Sequence, residues 1–125
     1  MIYLDTHVVA WLYAGLVERI PERVRRELGE SELLISPMVR LELQYLYEIR
    51  RVTQPAAVVI DALRNELDLQ FCEAAFEKVV EEAAKQSWTR DPFDRMIVAQ
   101  AALRNSVLVT KDEVIHEQYA QALWA

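Results

Sequence analysis

Hydrophobic and polar positions alternate along this chain in short blocks, and each block has the period of one type of secondary structure. Short apolar runs that end at polar residues predict buried strands. Five such runs occur, at residues 1–4, 32–35, 67–72, 107–109 and 122–124. Longer segments separate the runs, so successive strands have room for a helical crossover and can lie parallel in one sheet.

The segments between these strands carry apolar residues at helical spacing, together with residues that begin helices. Pro37 and Pro92 follow cap residues and stand where a first helical residue needs no N–H partner. Helices are predicted at residues 7–14, 22–28, 37–51, 55–65, 73–87, 92–103 and 112–119. The alternation predicts an α/β fold, a three-layer α/β/α sandwich with a central, mostly parallel sheet of about four to five strands.

Composition narrows the class of protein. The chain has 125 residues, 53% of them hydrophobic and 27% charged, which predicts one domain over residues 1–125 rather than a disordered segment. No charge-free apolar run approaches the roughly 18 residues of a membrane span, and no basic segment precedes the first strand. The single cysteine, Cys72, has no partner for an internal disulfide and is expected in the core. We therefore expect a cytoplasmic protein without a membrane segment.

The net charge limits how nucleic acid could be bound. Asp and Glu outnumber Lys and Arg by 20 to 14, for a net charge of −6. A protein that holds nucleic acid by bulk electrostatics is usually basic, so this balance argues against that mode of binding. It is compatible with a metal site or with a local basic patch.

Acidic residues follow two of the predicted strands and begin one of the predicted helices. Asp5 comes directly after the first strand and Asp112 just after the fourth, while Asp91 and Asp94 lie in the first turn of the helix at 92–103. Ligand sites of open α/β sheets lie beyond the carboxyl ends of the strands. These acids are therefore expected to approach one another at that edge of the sheet.

Two carboxylates are predicted to face inward from helices. Glu42 shares a helix face with Val39 and Leu46, and Asp94 shares one with Ile97 and other apolar residues. A buried carboxylate is costly unless something pairs with it, and clustered anions repel or take up protons. A bound cation would resolve both problems. Oxygen-only ligands indicate Mg²⁺ or Mn²⁺, and no His or Cys spacing indicates zinc.

Each of these signals also has a purely structural explanation. Asp5 and Asp91 stand where helix N-caps are expected, and Asp112 lies within a segment with capping-box spacing. Glu42 could pair with an arginine, and His7 could be a packed or surface histidine. The joint placement of the acids favours a metal site over these explanations.

Three segments together resemble one known family. They read MIYLDTHVVAWL at the start, SPMVRLELQYLYEIRR in the middle, and RDPFDRMIVAQA followed by SVLVTKD near the end. In this order and spacing they are similar to the PIN-domain family, and more closely to the VapC-type toxins of toxin–antitoxin pairs. The resemblance covers essentially the whole chain.

The resemblance implies a Mg²⁺- or Mn²⁺-dependent ribonuclease that hydrolyses phosphodiester bonds of RNA. The residues that it makes both catalytic and metal-binding are Asp5, Glu42, Asp94 and Asp112. Supporting roles fall to Thr6, Asp91 and Thr110. It also implies an antitoxin protein that blocks the site, and it implies that the chain forms a homodimer. Tyr45 and Tyr47 are candidate residues for either interface if they are not in the core.

RNA contacts are predicted from the residues around the acids. Arg90 and Arg95 flank the acidic pair and are expected to hold the RNA backbone. Trp11 and Trp88 are candidates for stacking on single-stranded bases.

Other functions remain open at this stage. A receiver-like regulatory domain that binds Mg²⁺ also places acids at strand ends, but it needs paired acids after the first strand, where Leu4 and Thr6 flank Asp5. A phosphatase with an aspartate nucleophile needs a second Asp where His7 stands. A non-catalytic binding protein and a PIN nuclease of RNA processing are the remaining alternatives.

Overall fold

The central sheet of the computed structural model, which describes all residues 1–125, has five parallel strands in the order β3-β2-β1-β4-β5. The strands are β1 (Ile2–Leu4), β2 (Leu33–Ile35), β3 (Gln70–Phe71), β4 (Val107–Val109) and β5 (Ala122–Leu123). The α/β class, the parallel sheet and the number of strands are confirmed. The short strands are apolar and the three inner ones are almost completely buried, as expected for a sheet covered on both faces.

Seven helices flank this sheet. They are α1 (Thr6–Ala14), α2 (Glu22–Glu30), α3 (Pro37–Glu48), α4 (Ala56–Leu67), α5 (Phe76–Ala84), α6 (Pro92–Leu103) and α7 (Glu113–Gln118), with a 3₁₀ turn at Val17–Arg19. None of the helices is both long and apolar enough to cross a membrane. The helix α6 and the strand β4 have the boundaries that the sequence predicts.

Two helices, α3 and α4, end at other residues than predicted, in each case close to a residue with a left-handed conformation. Helix α3 ends at Glu48 rather than at residue 51, and Arg50 has a φ of 65°. Helix α4 continues to Leu67 and is capped by Asp68 with a φ of 54°, so β3 begins later than predicted. A right-handed helix cannot continue through such a residue.

Helices α2 and α5 also differ from their predicted lengths. Gly29 does not end α2, which runs on to Glu30. Helix α5 is shorter at both ends than residues 73–87. At its start, the Cys72 N–H donates to the Ile35 carbonyl and keeps the chain on the sheet. At its end, Lys85 and Gln86 donate to carbonyls three residues earlier, which tightens and closes the last turn.

The core lies on the sheet and under the helices that cover it. One cluster of 25 buried hydrophobic residues includes Tyr3, Leu43 and Leu108. Cys72 is buried, as predicted, and its Sγ accepts a hydrogen bond of 2.9 Å from the Tyr3 hydroxyl. The same core fixes the relative positions of β1 and β4, whose carboxyl ends carry two of the acids.

Leu108 at the centre of β4 tests this arrangement. We expect Leu108→Ala to lower the free energy of unfolding by about 2–5 kcal/mol, because a fully buried leucine leaves a cavity when it is truncated. Urea denaturation measures the change. Leu67→Ala, at a leucine 42% exposed, is the matched control. If the two substitutions had equal effects, the packing described for β4 would be wrong.

Candidate active site

Asp5 lies where β1 ends and α1 begins, and both of its carboxylate oxygens are hydrogen-bonded. The Thr6 N–H donates to Oδ1 at 2.8 Å, and the Thr110 hydroxyl donates to Oδ2 at 2.6 Å. The two residues meet because β1 and β4 are parallel neighbours with Leu4 opposite Val109. Asp5 is only 2% exposed, so these bonds hold its carboxylate in one orientation inside the protein.

Glu42 reaches the same place from α3. Its Oε1 accepts a hydrogen bond from the Thr6 hydroxyl, and its neighbours Val39 and Leu43 are fully buried. Burial raises the pKa of Glu42, and the charges of Asp5 and Asp91 raise it further, while the Thr6 hydrogen bond lowers it. The half-buried acid predicted from the helix pattern is therefore present and faces Asp5.

Asp94, in the first turn of α6, is the most strongly perturbed acid. Burial, followed by the charges of four other carboxylates, raises its pKa to about 7; the carboxylates contribute in the order Asp91, Asp5, Asp112 and Glu42. These groups come from the ends of β1 and β4, from α3 and from the start of α6. Their repulsion on one half-buried side chain shows that the fold brings all five acids into one region.

Asp112 and Thr110 form the part of the site that follows β4. The Thr110 hydroxyl, which donates to Asp5, also accepts a hydrogen bond of 3.1 Å from the Asp112 N–H. The Asp112 Oδ1 accepts from the Ile115 N–H at 3.0 Å and caps α7. His116 lies one turn further on, and its Nε2 is 2.6 Å from the Thr110 carbonyl oxygen. The segment that begins at Thr110 is therefore held by Asp5 on one side and by His116 of α7 on the other.

Three of the acids have a structural role as well. Asp5, Asp91 and Asp112 do cap helices. A carboxylate has about four lone-pair sites, and the caps of Asp91 and Asp112 use only Oδ1, so capping leaves acceptors free for a cation. A pairing of Glu42 with an arginine is wrong: the ion pairs of the molecule are His7–Asp5, Arg23–Glu27 and Lys85–Glu82.

The chemistry of the site fits a hard divalent cation, because the four acids that raise the pKa of Asp94 offer only carboxylate oxygens. The geometry is less complete: no three His, Cys, Asp or Glu side chains are arranged as a ready coordination shell. Repulsion between the carboxylates accounts for the incomplete shell, since side chains of like charge resist closer approach.

The predicted RNA-binding arginines lie beside the acids but are partly engaged in local structure. Arg95 donates from Nε to the Thr89 carbonyl at 2.8 Å, and Arg90 donates to the Ser87 carbonyl at 2.9 Å. Both therefore brace the loop before α6 and retain further N–H groups. Trp88 is half-buried and donates to Gln86.

One histidine of the site, His116, is not identified by the sequence, and the other, His7, is expected there as a packed or surface histidine. His7 is exposed, and its Nε2 lies 3.8 Å from Asp5 Oδ2. His116 holds the Thr110 carbonyl. The only signals for them are position: His7 is two residues after Asp5, and His116 is one helical turn after Asp112.

Comparison with known proteins agrees with the fold described above. The family model described as PIN domain matches residues 2–121. No curated protein is a significant match. Among solved structures, the chain is similar to VapBC-1 from nontypeable Haemophilus influenzae, with a TM-score of 0.65, 22% identity and coverage of 100% of this chain and 97% of that one.

Two further structures have the same fold. VapBC2 from Rickettsia felis, bound to a DNA fragment from its promoter, gives a TM-score of 0.64 at 18% identity, covering 98% and 96% of the two chains. DNA-bound VapBC from Salmonella typhimurium gives 0.62 at 24%, covering 97% and 93%. At such identities the likeness establishes the shared fold, as expected from the sequence resemblance.

The raised pKa of Asp94 predicts a pH-dependent effect of its removal. The pKa of the Asp94 carboxyl group is about 7 in the folded chain and 3.8 in the unfolded chain. The group therefore favours folding most strongly below about pH 4, where it is protonated in both states. That contribution is lost as pH rises from about 4 to about 7, because the unfolded chain ionises first. We therefore expect Asp94→Asn to be more stable than the wild type at pH 8, with the difference vanishing near pH 4.

Urea unfolding of both chains across this pH range, in a chelator and at constant ionic strength, measures the difference. Asp61→Asn, at an exposed aspartate of α4, is the control and should give no such trend. A stability difference for Asp94→Asn that is the same at pH 4 and pH 8 would rule out the repulsion described here.

Proposed function

The chain belongs to the PIN domain family, and from this premise we propose that it is a divalent-metal-dependent endoribonuclease, the toxin of a toxin–antitoxin pair. The observation that carries the proposal is the convergence of carboxylates on Asp94, whose pKa is raised to about 7 by burial and by four neighbouring acids. Such a perturbed acid in a cluster of like charge is typical of a functional site.

Asp5, Glu42, Asp94 and Asp112 are the residues proposed to hold Mg²⁺ or Mn²⁺. The chemistry that such a cation supplies is Lewis acidity, which activates water as a nucleophile and stabilises negative charge on phosphate oxygens. Their oxygen-only chemistry suits either ion, and a hard cation that keeps some of its water needs only a few carboxylates.

The chain's own groups orient the acids. The Thr6 N–H donates to Asp5 and the Thr6 hydroxyl donates to Glu42. These two hydrogen bonds fix the positions of the two carboxylates relative to each other. The Thr110 hydroxyl donates to Asp5 and accepts from the Asp112 N–H, so it connects these two residues in the same way. Preorganised ligands need no rearrangement when the reaction begins, which is the usual source of an enzyme's electrostatic advantage.

RNA is the proposed substrate, bound locally rather than by overall charge. Arg90 and Arg95 lie beside the acidic cluster, and each retains N–H groups beyond its bond to the loop backbone. Guanidinium groups match phosphate geometry. Asp91, which caps α6 with one oxygen, is proposed as a supporting residue at the metal.

A small antitoxin protein is the proposed partner. The support is that the solved structures similar to this chain include VapBC complexes and a toxin–antitoxin complex from Klebsiella pneumoniae. An antitoxin side chain of positive charge would neutralise the acidic cluster and block access of RNA to it. A neighbouring gene for a small DNA-binding protein would favour the toxin role over a role in RNA processing.

A homodimer is proposed through the exposed face of α3. Leu41 and Tyr45 of α3 and Ile49, the residue that caps its C-terminus, follow one another at four-residue spacing and are 55%, 49% and 45% exposed. Residues at this spacing share one helix face, and three large hydrophobic side chains on one face favour contact with a second copy. Tyr47 is also exposed rather than in the core.

A regulatory receiver domain is the main alternative. It is disfavoured because Asp5 has no second acid beside it: the next residue is the buried Thr6, and the next exposed group is His7. Phosphotransfer from a small phosphodonor would support that alternative.

RNA cleavage tests the proposed activity. We expect the wild type to cut single-stranded RNA with Mg²⁺ or Mn²⁺ and not in EDTA. Asp5→Asn and Asp94→Asn should lower the rate by at least about 100-fold, since several kcal/mol of transition-state stabilisation depend on the bound cation. Asp61→Asn should cut at the wild-type rate. A folded Asp94→Asn protein with undiminished cleavage would remove Asp94 from the mechanism.

The oligomeric state tests the α3 face. We expect the wild type to sediment as a dimer and Leu41→Glu/Ile49→Glu to sediment as a monomer, because charges on a buried apolar interface are unfavourable. Val80→Glu, at an exposed valine of α5, is the control. A monomeric wild type at all concentrations, or a dimer that the double substitution leaves intact, would contradict this surface.

A further inference from the structure

An aromatic and cationic surface lies next to the acidic site. Trp11 of α1 is at its centre, with ring centroids 5.7 Å from His7 and 5.8 Å from Trp124. The Lys111 Nζ and the Arg19 guanidinium carbon lie over the Trp11 ring, 5.8 and 5.9 Å from its centroid. We call these five residues the Trp11 platform.

The platform is continuous with the proposed metal site. His7 is exposed and its Nε2 is 3.8 Å from Asp5 Oδ2. Lys111 stands in the chain between Thr110 and Asp112. A strand of RNA with its phosphodiester at the acids would therefore meet the platform within a short distance.

The two cations of the platform have no acidic partner. Arg19 and Lys111 are exposed, and neither takes part in any of the three ion pairs. Both cations are therefore free to contact an anionic ligand next to the acidic cluster. Packing against the core accounts for the buried part of Trp11 but not for two free cations on its ring.

Open space borders the platform. Trp11 and Arg19 line a cavity of about 480 Å³ beside α1, which also includes Arg51 and has no Asp or Glu among its twelve lining residues. This volume lies in the range of pockets that hold small ligands. A surface with aromatic rings, arginines and no acids is suited to a group that is both flat and anionic.

We propose that the Trp11 platform binds a base of single-stranded RNA adjacent to the phosphodiester at the acidic cluster, with Arg19 and Lys111 contacting the flanking phosphates. This inference rests on the proposed ribonuclease function and adds a binding site to it. Stacking on aromatic rings is tolerant of base identity, and arginine or lysine beside the ring neutralises the backbone. The platform also explains how a protein of net charge −6 holds a polyanion.

Binding of a labelled single-stranded RNA to full-length Asp94→Asn protein in Mg²⁺, which leaves the RNA uncut, tests the charges. We expect Arg19→Gln/Lys111→Gln to weaken binding and to lower the slope of log K against log salt by about 1.4, or about 0.7 for each phosphate contact. Arg26→Gln/Lys78→Gln removes the same charge from exposed positions on α2 and α5 and should change neither quantity.

A second measurement needs no substitution in the platform, because Trp11 also packs on the core and its replacement could unfold the chain. An RNA of the same length with abasic positions next to the cut keeps its phosphates and loses its bases. We expect it to bind at least about fivefold more weakly than the complete RNA, since each stacked base contributes that much or more.

The outcomes separate this inference from the proposed function. If the wild type cuts RNA but the platform and control variants bind it equally, or the abasic RNA binds as well as the complete one, the platform is not an RNA site and the nuclease stands. If the platform variant binds RNA as the control variant does and loses affinity for a protein partner instead, the surface binds protein and the inference fails. If wild-type protein neither binds nor cuts RNA, the function fails first.

Discussion

Electrostatic repulsion among carboxylates is the constraint on which the rest of this structure depends. Five acids approach one region, where burial and the charges of the other four acids together raise the pKa of Asp94. The fold supports this arrangement because parallel strands β1 and β4 end at the same edge of the sheet, where Thr110 donates directly to Asp5. The buried core beneath that edge supplies the stability that the acids remove.

Helix capping and site formation use the same side chains. Asp5, Asp91 and Asp112 each accept a backbone N–H at the start of a helix, so the three carboxylates are ordered before any ligand arrives. A cap consumes only part of the acceptor capacity of a carboxylate. The structural and the proposed catalytic explanations of these acids are therefore compatible. Thr6 connects Asp5 to Glu42, and Thr110 connects Asp5 to Asp112.

The surface around the acids divides by charge. Arg90 and Arg95 brace the loop before α6, while Arg19 and Lys111 lie unpaired on the Trp11 ring. An acidic protein that acts on a polyanion must recruit it locally, through a cation at the carboxylates and through basic side chains beside them. The exposed face of α3, with Leu41 and Tyr45, is apolar instead and suits a protein contact.

The sequence by itself determined the alternation of strands and helices, the boundaries of α6 and β4, and the identity of the acids, because these depend on local periodicity and on residues that begin helices. It misplaced the ends of α3 and α4, where Arg50 and Asp68 adopt left-handed conformations that local pattern does not reveal. Only the tertiary structure decided that Thr110 contacts Asp5, that five acids act on Asp94, and that Trp11 lies beneath two cations. Those contacts join residues as many as 105 positions apart, and they depend on strand order and register, which no short segment contains.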